Sequence, residues 1–236
     1  MIKRKIEVCF SPALLHLYDI KNSIVVIIDI FRATSSICYG IENGAEAIIP
    51  VASVEACRSY CSTEFLLAAE RDGKVVEGFD FGNSPFDYTS EKVEGKTVVL
   101  TTTNGTHALN ESREAYKIVI GSFLNLNSLC DWLKEQSEDV FLLCAGWKNC
   151  FNLEDTLFAG AVVHLLKEDG FQLDDSGIAA EDLYAVAKTD LKNYLKKTSH
   201  GERLKKLGIE KDIEFCLNVN LTTAIPVLKG DRLMRL

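Results

Sequence analysis

The amino-acid sequence predicts an α/β protein, a buried sheet with helices packed on it. Two observations predict it. Ile24, Val25, Val26, Ile27 and Ile28 form an unbroken β-branched run, which suits a strand covered on both faces. The unit of apolar strand, polar loop and helix then recurs after Ile28, after Leu100 and after Cys144, the alternation that α/β architecture requires. At 236 residues the chain can bury one sizeable core, either as a single domain over 1–236 or as two similar α/β lobes around one cleft.

Ile2 to Phe10 reads as a first strand with a turn at Ser11-Pro12, and Ala13 to Tyr18 as a short helix. Ser23 to Asp29 is the central strand. It ends in an acid, Arg32 follows, and Thr34-Ser35-Ser36 opens a helix that closes near Gly44. Ala45 to Val51 is a strand leading through Ala52-Ser53 to a helix at Val54 to Cys61. Phe65 to Ala69 is a strand that runs into Glu70-Arg71-Asp72-Gly73. Gly78 to Pro85, with two glycines, an Asn and a Pro, is a loop of defined shape that Phe79 and Phe81 would anchor.

Thr97 to Thr101 is a second strongly apolar strand. Asn104-Gly105 after a strand is a hairpin signal, but the residues from His107 onward read as a helix, so strand–loop–helix is the expectation. Lys117 to Ser122 is a strand, Asn125 to Glu135 a helix, and Asp139 to Ala145 a third buried strand with Gly146 to Asn149 as its exit loop. Asn152 and Asp155 resemble a capping box for the following helix, a structural role that Glu154 does not share. The small residues Ala159, Gly160 and Ala161 call for close packing. Ser176 to Lys188 and Thr189 to Lys197 read as helices with acids first and lysines last, as the helix dipole favours. Lys192 to Lys206 reads as a solvated face, Asp212 to Val219 as a closing strand or helix end, and Ile225-Pro226-Val227 as an edge segment. The tail DRLMRL reads as surface or as the interface of a homodimer.

Composition bounds the function classes. The chain is 47% hydrophobic and 25% charged, with a net charge of −8, ordinary for a soluble enzyme and ill-suited to a nucleic-acid partner. A small anionic substrate remains open, because local arginines and a metal can overcome the global charge. No apolar run is long enough to span a membrane, and no signal-peptide core is visible. Eight scattered cysteines without a CxxC pair predict a reducing cytoplasm, no disulfide framework and no structural zinc.

Several catalytic routes are absent. There is no GxxxxGK[ST], no GxGxxG and no GxSxG. A cysteine phosphatase would want an arginine where Cys150 follows Cys144. A phospho-aspartate route at Asp29 would want an acid at Phe31, although Asp29 as nucleophile stays open. What remains is a set of acids and arginines at strand ends: Asp29, Glu70, Asp80, Glu154 and Asp155 with Arg32 and Arg71. Hard oxygen ligands select Mg²⁺ over zinc, and helix starts with hydroxyls, as at Thr34 to Ser36 and Thr102 to Thr106, suit phosphate oxygens. The same threonines would serve equally as plain caps.

These residues together resemble the 2-phosphosulfolactate phosphatase family. The resemblance lies in six co-ordered segments, Val25 to Ile37, Asn43 to Val51, Leu66 to Pro85, Gly95 to Leu109, Ile120 to Asn125 and Leu142 to Ala161. It implies a three-layer α/β/α fold around a mixed sheet. It also implies Mg²⁺-dependent hydrolysis of (2R)-2-phospho-3-sulfolactate, or a related phosphorylated 2-hydroxy acid, to 3-sulfolactate and phosphate, a step in coenzyme M biosynthesis. On that basis Asp29, Glu70 and Asp155 are the expected metal ligands, and Asp29, Arg32 and Glu154 the catalytic residues. Arg71, Thr102, Thr103, Asn104 and Gly105 are expected to bind the substrate. Two positions depart from the family pattern: Ala69 stands where a glycine is expected and His107 where an arginine is expected. These departures keep open a second reading, a non-catalytic binding protein or sensor for a small phosphorylated metabolite. The hydrolase reading requires the strand-end acids, the arginines and the Thr102 to Asn104 loop to share one pocket.

Overall fold

The computed structural model describes residues 3–236. Its strands are β1 (Lys5–Cys9), β2 (Ser23–Ile28), β3 (Ala47–Pro50), β4 (Leu66–Arg71), β5 (Lys74–Val75), β6 (Thr97–Thr101), β7 (Lys117–Gly121), β8 (Asp139–Cys144), β9 (Gln172–Leu173), β10 (Pro226–Lys229) and β11 (Arg232–Arg235). The start expected at Ile2 lies outside the described residues. All eleven strands join one sheet, in the order β5-β4-β6-β3-β11-β10-β7-β2-β8-β1-β9.

The sheet has two parallel blocks. One is β4, β6 and β3; the other is β7, β2, β8, β1 and β9. The antiparallel hairpin β10–β11 joins them, with Val227 opposite Val119 and Leu233 opposite Ile48. Three antiparallel steps therefore separate β7 from β3, and the blocks run in opposite senses. Strand twist of roughly 20–25° per step accumulates across the joint and turns one block back towards the other. The loops leaving β2, β4, β6 and β8 then open on a common crevice.

Alternation along β2 shows why its apolar run is continuous. Ile24, Val26 and Ile28 enter one core, together with Leu129, Leu133, Leu157, Phe158 and Val162 from the helices Leu126–Lys134 and Leu153–Leu166. Val25 and Ile27 enter the other, with Ile37, Cys38 and Ile41 of the helix Ala33–Glu42, Tyr88 and Leu109. The result is the expected three-layer α/β/α arrangement around a mixed sheet. The stripe of small residues also does what its composition calls for. A Cβ on Gly160 would lie 2.0 Å from the Ala180 carbonyl oxygen of the helix Asp175–Ala187, so only glycine lets these two backbones approach. All eight cysteines are free.

The C-terminal third departs from expectation. Ile225 to Val227 is not an edge, and DRLMRL is not a surface tail: β10 and β11 lie at the middle of the sheet and Leu233 is fully buried. The period-2 signal in a four-residue strand is too short to reveal this. Asp212 to Val219 resolves to a helix end, in the helix Glu210–Cys216. Lys192 to Lys206 is only partly a solvated face, because Leu195, His200 and Leu204 within it are buried.

Candidate active site

The C-terminal ends of β2, β4 and β6 bring Asp29, Glu70 and Asn104 to the crevice. β2 ends at Asp29, whose backbone N–H donates to Thr34 Oγ1 (3.1 Å) while its carbonyl accepts from Thr34 N–H (3.0 Å). Thr34 thus ties the helix start to the strand end. Glu70 is the penultimate residue of β4, and the chain then turns tightly through Asp72 and Gly73, both with positive φ (53° and 86°), as an Asp-Gly hairpin requires. The crevice is lined by Asp29, Phe31, Arg32, Glu70, Gly73, Asn83, Asn104, Trp147, Arg203 and Leu204.

Asp29 and Glu70 therefore converge, although 41 positions separate them in the sequence. Both are buried. Burial, followed by the charge of Glu70, pushes the Asp29 carboxyl up to about 7. Glu70 accepts from Gly73 N–H and lies 3.5 Å from both Thr103 N and Thr103 Oγ1. Two neighbouring buried carboxyl groups suit a hard divalent cation, and Mg²⁺ commonly takes one or two carboxylates and completes its shell with water and phosphate oxygens. The donor set fits Mg²⁺ in that form.

Asp155, expected as a third ligand, lies beside Asp29 but does not line the crevice. Among the described residues no group of three His, Cys, Asp or Glu side chains is placed to hold one ion. Asp155 faces elsewhere: its Oδ1 accepts from Ile30 N–H (2.9 Å) and its Oδ2 from Gly146 N–H (3.0 Å). It pins together the loops that leave β2 and β8. Burial, then the charges of Asp29 and Glu154, hold its carboxyl well above the usual range. The capping box is half formed, with Asn152 Oδ1 accepting from Asp155 N–H (3.3 Å).

Glu154 does not line the crevice. It is fully buried, bonds His200 Nδ1 through Oε1, and faces a second cavity of about 370 Å³. Arg32 lines the crevice, but its guanidinium is engaged by Asp212 and by the Gly73 carbonyl (3.0 Å). Arg71 is outside it, donating to the Glu70 carbonyl (2.6 Å) and to Thr101 Oγ1 (3.0 Å). Adjacent residues of a strand point to opposite faces, so Glu70 and Arg71 cannot both enter. Thr102 closes on Thr106, an ordinary cap. Asn104 lines the crevice, and its Oδ1 accepts from Lys148 N–H (3.1 Å). Gly105 opens the helix Gly105–Glu111, and a Cβ there would lie 2.9 Å from Asp29 Oδ2. Asp80 serves the fold, accepting from Leu67 N–H (2.9 Å).

Among the residues that join the site without having been expected there, Asn83, Trp147, His200, Arg203 and Asp212 carry polar groups. Asn83 Oδ1 is buried and has no hydrogen-bond partner among the described residues. Trp147 stacks on the His200 ring at 5.4 Å between centroids and carries the Arg203 guanidinium 3.8 Å above its own ring. Arg203 makes no ion pair with a carboxylate among the described residues. The available signal was faint: a histidine and an arginine three positions apart, beside leucines, inside a lysine-rich stretch. The two family departures fall in quiet places. Ala69 is a buried strand residue paired with Thr101, and His107 is exposed beside Glu111.

A crevice at strand ends, with two converging carboxylates and an arginine without a carboxylate partner among the described residues, marks the chain as an α/β protein with a polar pocket of the kind enzymes use. Comparison with known proteins narrows the class. The sequence model of the family described as 2-phosphosulpholactate phosphatase matches residues 9–231. A protein of Thermotoga petrophila named "Probable 2-phosphosulfolactate phosphatase" is 43% identical over 86% of this chain and 88% of its own length. Proteins of the same name from Caldanaerobacter subterraneus subsp. tengcongensis (39% identical, 90% of each chain) and Clostridium botulinum (34% identical, 98% of this chain and 100% of its own) are similar throughout. The chain belongs to the 2-phosphosulfolactate phosphatase family, whose members are phosphoric monoester hydrolases.

Proposed function

We propose that this protein is a Mg²⁺-dependent phosphatase. Its substrate is 2-phosphosulfolactate or a related phosphorylated 2-hydroxy acid, and its products are 3-sulfolactate and phosphate. The observation that carries the reading is the convergence of Asp29 and Glu70 in one crevice rimmed by Asn83, Asn104, Arg32 and Arg203. The names of the relatives support the choice of substrate.

In this reading Asp29 and Glu70 hold the ion. When bound, Mg²⁺ neutralises charge on the phosphoryl group and acidifies water. Asn104 Nδ2 donates to a phosphoryl oxygen. Arg32, held by Asp212, adds fixed positive potential as charge develops. Asp155 keeps the loops after β2 and β8 together and so places Asp29. Free thiols at all eight cysteines support a reducing compartment, for which the cytoplasm is the proposal. No helix among the described residues is long and apolar enough to cross a membrane.

The sensor reading loses its ground, since it rested on Ala69 and His107 and neither lines the crevice. Phosphate release from 2-phosphosulfolactate with Mg²⁺ and with EDTA tests the proposal. Release that requires Mg²⁺ and disappears in Asp29→Asn is expected. Release indifferent to EDTA, or retained by Asp29→Asn, refutes it.

A further inference from the structure

We propose that Arg203, oriented by Glu154 and His200 against Trp147, selects substrates that carry a further oxyanion group beyond the phosphorylated 2-hydroxy acid itself, and that the cavity beside it receives that end of the substrate. The proposal takes from the phosphatase reading only the placement of the reacting end in the Asp29–Glu70 crevice.

Space is the first argument. The crevice measures about 10 Å³, room for about one water. A phosphorylated hydroxy acid cannot lie wholly inside it. The adjoining cavity, about 370 Å³, shares Trp147 and Arg203 with the crevice and is further lined by Asn152, Leu153, Thr198 and Ser199. This is within the range of small-molecule sites, roughly 300–1,000 Å³. A substrate anchored at the acids therefore extends past Arg203.

Charge is the second. Arg32 is committed to Asp212. Arg203 is the crevice cation without a carboxylate partner among the described residues, and its Nε is buried with no hydrogen-bond partner. A guanidinium only donates hydrogen bonds. The 2.8 Å contact between Arg203 Nη2 and His200 Nε2 therefore makes that nitrogen the acceptor and places the ring proton on Nδ1, where it is donated to Glu154 Oε1. Glu154 sets the tautomer, the tautomer supplies the acceptor, and the acceptor together with the Trp147 face fixes the plane of the guanidinium. A planar fork held in this way suits a sulfonate or carboxylate better than a lysine would. Glu154 and His200 are positioning residues in this account, and Arg203 determines specificity.

The test is calorimetric binding of 3-sulfolactate and of lactate, which lacks the sulfonate, to the full chain in the presence of Mg²⁺. Wild type should prefer 3-sulfolactate by about tenfold or more, the worth of one charged hydrogen bond. Arg203→Met should bring that ratio towards one at an unchanged Tm, and Arg203→Lys should recover part of it. His200→Phe keeps a ring against Trp147 but removes the acceptor, and should lower the ratio to an intermediate value. If Arg203→Met does not fold, Arg203→Gln is read by the same ratio. A folded variant that keeps the wild-type ratio, or a wild type that binds both ligands equally, overturns the proposal. Failure of the phosphatase reading looks different: wild type releases no phosphate, while the ratio still collapses on loss of Arg203.

Discussion

Arg32 and Asp212, 180 positions apart, form an ion pair whose side chains are only 6% and 10% exposed. The pair fastens the helix Glu210–Cys216 to the loop after β2, and so fastens the C-terminal third to the crevice. Removing one member leaves the other charge buried and unpaired. Asp212→Ala should therefore cost about 3–5 kcal/mol in urea unfolding. The double replacement Arg32→Met with Asp212→Leu should recover most of that stability and still release little phosphate. Recovery of both stability and activity would show that Arg32 serves the fold alone.

Gly105 is a matter of contact rather than of backbone freedom. A methyl there would meet Asp29 Oδ2 and Ala33 Cβ, both at 2.9 Å. Gly105→Ala should displace the Asp29 carboxylate and lower kcat by about 10²-fold, the usual penalty for a misplacement of about 1 Å, while circular dichroism stays unchanged. Wild-type turnover in this variant would mean that Asp29 has room to move without consequence.

Asp155 and Asp29 are neighbouring acids with different duties. Asp155→Asn turns an amide N–H₂ towards one of two backbone donors and should destabilise the protein by about 1.5–3 kcal/mol. It should leave the Mg²⁺ concentration for half-maximal phosphate release unchanged. Asp29→Asn should do the reverse, abolishing the Mg²⁺ response with little loss of Tm. An Mg²⁺ titration of both variants decides whether Asp155 belongs with the ligands.

Glu181 gives a pH dependence with a defined sign. Its hydrogen bond from His164 (2.7 Å), then that from Lys167 (3.0 Å), lowers its carboxyl below the ordinary 4.5. A depressed acid binds fewer protons folded than unfolded, so its contribution is fully present above pH 4.5 and fades as pH falls through the folded value. The Tm difference between wild type and Glu181→Gln should be constant from pH 6 upward and shrink towards zero below about pH 4. A difference that grows on acidification would contradict the pairing.

Much of the architecture was legible locally. The β-branched run of β2 declared a strand buried on both faces, and the helical pattern after Gly105 outweighed the hairpin signal of Asn104-Gly105, because even the two turns of the helix Gly105–Glu111 contribute more local contacts than one turn dipeptide. Asp29 and Glu70 were also legible as strand-end acids. The partners of these acids were not. Asp155 and Glu154 are adjacent in sequence, yet one accepts two backbone N–H groups and the other holds a histidine. Successive positions on a helix point about 100° apart, and only packing tells which direction meets the site.

The sequence by itself determined the strand–loop–helix units, the α/β class and the strand-end positions of Asp29 and Glu70, since each follows from periodicity and residue type within a few neighbours. Tertiary structure decided the rest: β10 and β11 join the two parallel blocks at the centre of the sheet, Asp212 claims Arg32, and His200 presents Arg203 to the crevice. These outcomes depend on contacts of 3–4 Å between segments distant in the chain, the range over which a hydrogen bond or ion pair acts, and no local pattern encodes which distant side chain arrives first.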